Sequence, residues 1–320
     1  MPSKQAELSV VIVMGDPGTR AGLEKTLYSL IHQQSIEKLE ILVVDCAPSG
    51  APPLKGSDHR SVRTVKLPRS GTTLAQARAE GVRQARAPIV GFLDDHSFAM
   101  AGWAEALVEA HRGPWAGVGG EIYNNTPARG FADPIYLMGH AAWMPPAPRG
   151  EAELLPSHDT CYKREILLQY GDELPELLMA EPVLMRRLRL DGQRLYVDPN
   201  VKSTHGYTVN PLTLVAFYAW SRCFAASRAK AFKWSPARRM TFGFLSPFIP
   251  LVRAIRLFVY LVRRRPTSLP AFLVGLPIIL LAQAGAAVGE GLGMLFGLGD
   301  AERLLTQTHL RGLRLRAEYP

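Results

Sequence analysis

The sequence predicts an α/β domain, a mostly parallel central sheet flanked by helices, with a C-terminal helical membrane-associated region. Three observations predict it. Short uninterrupted apolar runs alternate with segments of helical periodicity through the first two hundred or so residues. Acidic residues recur at or just past the ends of those runs. Between Tyr207 and Glu290 no acidic residue occurs, and aromatic residues, arginines and long apolar stretches take over.

Leu8–Met14 (LSVVIVM) is β-branched and unbroken, as expected of a strand buried on both faces. The turn Gly15-Asp16-Pro17-Gly18 follows. Leu23, Leu27, Leu30 and Ile31 then repeat at helical spacing. Leu39–Asp45 (LEILVVD) is a second buried strand, and the Pro-, Gly- and Ser-rich residues 46–60 form a loop. Ser61–Leu67 reads as a third strand. Leu74, Ala77, Gly81, Val82 and Ala85 mark a helix. Ile89–Leu93 (IVGFL) is a fourth strand and ends in Asp94-Asp95-His96. Trp103, read as a core residue, opens another helix, and Val118–Tyr123 is a further strand. Residues 124–157 lack periodicity and read as a long loop region. Residues 165–190 read as helical with a break near Gly171–Pro175, and Arg194–Val197 as a last short strand. This rhythm makes consecutive strands parallel, and ligands of such sheets bind outside the C-terminal strand ends. Asp16, Asp45, Asp94 and Asp95 all fall on that rim.

The net charge of +9 is uneven. Between Asp198 and Glu290 stand twelve Lys or Arg residues and no acidic one, which points to an anionic surface as partner. Nucleic acid and anionic lipid both qualify. The apolar run beside the basic block, and the lack of a recognised nucleic-acid-binding motif, select lipid and exclude nucleic acid. Leu269–Val288 has the roughly 20 apolar residues a bilayer-crossing helix needs, although Pro270, Pro277 and Gln283 interrupt it. Arg263-Arg264-Arg265 just before it belongs on the cytoplasmic side. Three arrangements of residues 269–299 stay open: spanning, re-entrant, or a buried hairpin. Cys46, Cys161 and Cys223 are odd in number and in no metal-ligand spacing, which argues against a secreted disulfide scaffold. Residues 1–7 are polar, and no signal peptide is expected there. The glycine spacing after the first strand is not that of a dinucleotide-binding dehydrogenase.

The segments SVVIVMGDPG, LEILVVDCAPSG, GTTLAQARAEG and IVGFLDDHSFAMAGW occur in an order that resembles family 2 glycosyltransferases of the GT-A fold. The resemblance runs over residues 8–205. It implies an inverting transfer from a nucleotide-diphosphate sugar, with a divalent metal, Mn²⁺ or Mg²⁺, neutralising the departing diphosphate. Asp94, Asp95 and His96 stand where the family has its D-x-D motif, and the His in place of the second Asp suits Mn²⁺ better. By the same resemblance Asp45 recognises the base or ribose, Asp16 flanks the nucleotide, and Arg78 lies near ribose or phosphate. His205 completes the metal site. Counting back from Gly192 puts Glu181 where the family has the general base, with Ala180 in place of its acidic neighbour. His158 and Asp159 fall where the family lines the donor-sugar or acceptor pocket.

The implied organisation is a catalytic domain over residues 1–207 and an amphipathic, transmembrane or interfacial helical region over 208–320. That region resembles the membrane attachments of transferases acting on lipid-linked acceptors. It implies a lipid-linked or polysaccharide acceptor at the cytoplasmic face of the cell membrane, and a place in cell-envelope polysaccharide biosynthesis. His96 and Ala180 keep an alternative alive, an inactive nucleotide-sugar-binding partner of another transferase.

Overall fold

The computed structural model describes residues 6–15, 20–47, 52–68, 71–125, 132–157, 159–206 and 211–310. They form two compact units, one of residues up to 123 and 143–206, the other of 124–142 and 207–308.

The first unit is built on one mixed sheet. Strands β1 (Leu8–Met14), β2 (Leu39–Asp45), β3 (Val62–Lys66) and β4 (Ile89–Phe92) pair in parallel, in the order β3-β2-β1-β4. Leu8 stands opposite both Leu39 and Ile89, so the strands start level. Helices α1 (Arg20–Ile31), α2 (Leu74–Gln84) and α3 (Trp103–Ala110) cover this half. Leu8, Val10 and Ile12 join Leu23, Leu27, Leu30, Trp103 and Leu107 in the core of one face. On the other face α2 lies close against β1, where a methyl at Gly81 would collide with Val11. A capping box between Thr73 and Gln76 starts α2.

Strand β8 (Cys161–Lys163) inserts between β4 and β6 (Gly117–Asn124). Next comes β9 (Leu195–His205), which carries β5 (Ser97–Ala99) at one end and β7 (Gly150–Ala152) at the other. Four of these pairs are antiparallel: β8 with β4 and with β6, and β5 and β7 each with β9. Three short helices, α5 (Arg164–Leu168), α6 (Leu174–Met179) and α7 (Glu181–Leu190), complete the unit.

The elements expected up to residue 123 form within a residue or so of their expected bounds. Two expectations are corrected. Residues 124–157 are not one loop: they contain β7 and helix α4 (Ala132–His140). The last strand is not the short Arg194–Val197 but the eleven residues of β9. Asp198-Pro199-Asn200 reads as a strand terminator, yet pairing with β7 on one side of it and β5 on the other carries the strand through. The three-residue strands β5 and β8 are too short to produce a period.

The second unit is helical: α4, α8 (Pro211–Ala231), α9 (Pro236–Leu245), α10 (Ile249–Arg264), α11 (Leu269–Phe296) and α12 (Ala301–Leu310). Small residues bring α11 onto α8. A Cβ at Gly289 would strike the Tyr218 carbonyl oxygen, and one at Gly293 that of Arg222. Glycines at this four-residue spacing allow backbone-to-backbone packing. Residues 236–264 and 266–296 are each long and apolar enough to cross a membrane.

Candidate active site

The C-terminal ends of β1, β2 and β4 share one rim. Strand β4 ends at Phe92, opposite Val11, so the turn after it runs beside the last residues of β1. That turn holds Asp94, Asp95 and His96, and α1 fixes its course. The Thr26 hydroxyl donates to the Asp94 carbonyl oxygen at 2.8 Å. Gly22 sits so close that a Cβ there would collide with the Asp95 carbonyl oxygen.

Two clusters of buried polar groups grow from this turn. In the first, Arg78 of α2 joins two carboxylates. Its Nη2 donates to Asp94 Oδ1 at 2.6 Å, and its Nη1 lies 3.8 Å from Glu181 Oε1. The guanidinium stands over the Phe92 ring, 5.8 Å from its centroid. Arg78 is 3% exposed and Glu181 1%. Tyr162, fully buried on β8, donates its hydroxyl to Glu181 Oε2 at 3.4 Å. Burial and the Glu181 charge hold the Tyr162 phenol well above its ordinary range, so it stays protonated and remains a donor. Glu181 opens α7, where the helix N-terminus favours a carboxylate.

The second cluster is made by the pairing of β5 with β9, which sets Ser97 opposite His205. His96 Nδ1 lies 2.8 Å from Asp95 Oδ1. The His96 and His205 rings meet edge to face, with centroids 4.4 Å apart. His205 Nδ1 lies 2.9 Å from Ser97 Oγ and 3.4 Å from Asp159 Oδ2. Asp159 is 1% exposed, and neither carboxylate oxygen accepts a hydrogen bond among the described residues. Burial, then the charges of Asp159 and Glu181, push the Cys161 thiol far up, so this cysteine is no nucleophile.

Of the residues expected in the site, Arg78, Asp94 and Glu181 come together in the first cluster, and Asp95, His96, Asp159 and His205 in the second. Asp45 is half-buried at the end of β2, where its Oδ1 accepts a hydrogen bond from the Ala47 amide at 2.9 Å. Asp16 and His158 lie outside the described residues. Asp159, expected to line a sugar pocket, stands against His205. Sequence reasoning missed Tyr162 and Ser97. Tyr162 lies three residues after Asp159, and Ser97 directly follows the Asp-Asp-His triplet.

The second cluster fits a divalent cation. A carboxylate buried without hydrogen-bond donors is electrostatically costly unless a cation joins it. His96 Nδ1 faces the Asp95 carboxylate, the arrangement that orients Nε2 toward a metal. Within this unit Asp159 and His205 would hold the ion. Imidazole with carboxylate is a donor set that manganese accepts.

The family model for glycosyl transferase family 2 matches residues 9–165, so the chain carries a glycosyltransferase domain of GT-A-like fold there. No curated protein matches. Among solved structures, GalNAc-T7 with UDP, GalNAc and Mn²⁺ is similar at 16% identity, over 64% of this chain, with a TM-score of 0.48. This chain spans 44% of that protein. TarS residues 1–349 from S. aureus, in complex with UDP, is similar at 17% identity, over 87% of this chain and 90% of that one, with a TM-score of 0.49.

Proposed function

We propose that the protein transfers a sugar, with inversion, from a nucleotide-diphosphate donor to a lipid-linked or saccharide acceptor at the cytoplasmic face of the cell membrane, in building envelope polysaccharide. The observation that carries this reading is the meeting of two carboxylate clusters at one turn, past the C-terminal end of β4 in a family 2 domain. Asp45, with Asp16, holds the base and ribose. Asp94 and Asp95, with His96, Asp159 and His205, form the donor and metal end. A divalent cation bound there, Mn²⁺ or Mg²⁺, supplies a Lewis acid for the diphosphate leaving group.

Glu181 is the base that takes the acceptor hydroxyl proton. In the free protein its carboxylate is held by Arg78 and Tyr162. An acceptor hydroxyl reaches it by replacing the long Tyr162 contact. Arg78 bridges Glu181 and Asp94 and so fixes the spacing of the base from the donor end. The domain boundary follows from this reading: residues 1–207 carry the chemistry, and 208–320 hold the enzyme at the membrane. The twelve cationic residues between Asp198 and Glu290 match anionic lipid.

Calorimetric binding of UDP, GDP and TDP to detergent-solubilised protein, with Mn²⁺ and then with EDTA, tests the donor end. One nucleotide should bind with metal and not without it, and Asp95→Ala should abolish the binding. Folded protein that binds none of the three would overturn the proposal. Anomeric analysis of the product tests Glu181, since a retained configuration removes it as base.

A further inference from the structure

The second unit leaves one apolar surface facing outward. On α11 the positions 273, 274, 277, 280, 281, 284 and 288 are exposed, and each is apolar. They repeat at helical spacing and form one stripe. On α10 the exposed apolar positions are 251, 252, 255, 258, 259 and 262, and Met240, Phe242, Phe244 and Leu245 of α9 are exposed as well. A surface of this extent has a partner. The opposite face of the two long helices is tied internally: Glu290 of α11, 4% exposed, is ion-paired with Arg253 of α10 and lies 3.7 Å from Arg228 of α8. Arg253 also donates to Gln283 at 3.0 Å. Helices α10 and α11 therefore form an antiparallel hairpin, closed by the short turn Pro266–Ser268.

The charges on this hairpin decide how it meets lipid. Arg263, Arg264 and Arg265 sit at its tip, and Arg256 is exposed among apolar residues midway along α10. If both helices crossed the bilayer, the tip would carry three arginines to the far face, against the positive-inside rule, and Arg256 would stand at mid-depth. In the plane of the interface, the same arginines reach headgroups while the apolar stripe enters the acyl region.

We propose that α9, α10 and α11 embed in a single leaflet of an anionic bilayer, with the Arg263–Arg265 tip on the same side as the catalytic unit. The inference rests on the membrane association proposed above, and two measurements separate the two ideas. Flotation of the full chain with phosphatidylglycerol-containing vesicles tests association itself: the chain should co-float, and failure to do so removes the membrane reading together with this one. Replacing Arg263, Arg264 and Arg265 by Gln should weaken binding to these vesicles by roughly 100-fold and leave binding to neutral vesicles unchanged. An equal loss on both kinds of vesicle would overturn the assigned role of the tip.

Sidedness is read by an impermeant maleimide on Thr267→Cys at the tip and Glu109→Cys in the catalytic unit, since the native cysteines are buried. In inside-out membrane vesicles from expressing bacteria both should label, and in right-side-out vesicles neither should label before detergent is added. Labelling of Thr267→Cys alone in right-side-out vesicles means that the hairpin crosses, which sinks the single-leaflet arrangement and leaves membrane association standing.

Discussion

The two halves of the rim bury similar groups in opposite ways. Around Arg78 the two carboxylates share a guanidinium, and Tyr162 adds a hydroxyl to Glu181. Around His205 the Asp159 carboxylate is as deeply buried, yet no donor satisfies it among the described residues. A carboxylate joined by a buried cation holds structure, and one buried without a cation or a hydrogen-bond donor among the described residues marks a place prepared for something that comes and goes. The first cluster is thus the frame of the site and the second its receptor end. The predictions below press on that distinction.

The largest effect is expected at the frame. Arg78→Met leaves Asp94 and Glu181 buried without their cation, and breaking a buried pair in this way costs about 3–5 kcal/mol. Urea unfolding should show the midpoint falling with the slope kept. A loss below about 1 kcal/mol would mean that the pairing is incidental. Arg78→Lys, which keeps the charge but not the forked geometry, should fall between the two.

A buried histidine outside the site provides the next comparison. His111, at the end of α3, lies 2.9 Å through Nδ1 from the Leu107 carbonyl oxygen and faces no carboxylate there. Burial lowers its pKa from 6.5 to about 4, with the Leu107 carbonyl working against the fall. The folded value lies below the unfolded one, so the unfolded chain takes the proton first as the solution is acidified. The stability contribution is complete above about pH 6.5 and is lost as pH falls toward about 4, a span worth ~3 kcal/mol. His111→Gln should flatten the stability–pH curve in that window. An unchanged slope there would remove His111 as its cause.

The receptor end should answer with the opposite sign from the frame. Asp159→Asn keeps the shape and removes a buried charge that lacks donors, so stability should hold or rise. Mn²⁺ affinity should fall about 10- to 100-fold, read by titration of the protein with the metal. Destabilisation comparable to that of Arg78→Met, with metal affinity kept, would erase the difference between the two clusters.

How much of this was legible follows from which features are local. Strands β1, β2 and β4 announce themselves as apolar runs, and the rim position of Asp45, Asp94 and Asp95 follows directly. The antiparallel half is hidden because β5 and β8 have three residues each, and because Pro199 disguises the length of β9. The site divides along the same line. His96 and His205 could be marked from their places after strands. That Asp159 stands against His205 depends on β8 slotting between β4 and β6, a long-range pairing with no period in the sequence. The double duty of Arg78 was equally hidden, since one helix face says nothing of which two carboxylates converge on it.

The smallest effect tests how the two functions of Glu181, framing and proton acceptance, are divided. Tyr162 donates to it at 3.4 Å, longer than a strong hydrogen bond, from a fully buried ring whose phenol stays protonated. Tyr162→Phe removes the donor and keeps the ring, which should cost about 0.5–1.5 kcal/mol of stability, because Arg78 still neutralises Glu181. If Glu181 is the base, the lost bond also frees the oxygen that the acceptor hydroxyl must reach. KM for acceptor should then change while nucleotide affinity stays the same. A change in nucleotide affinity without one in acceptor KM would place Glu181 with the donor machinery, and the frame would then serve the same end of the reaction as the second cluster.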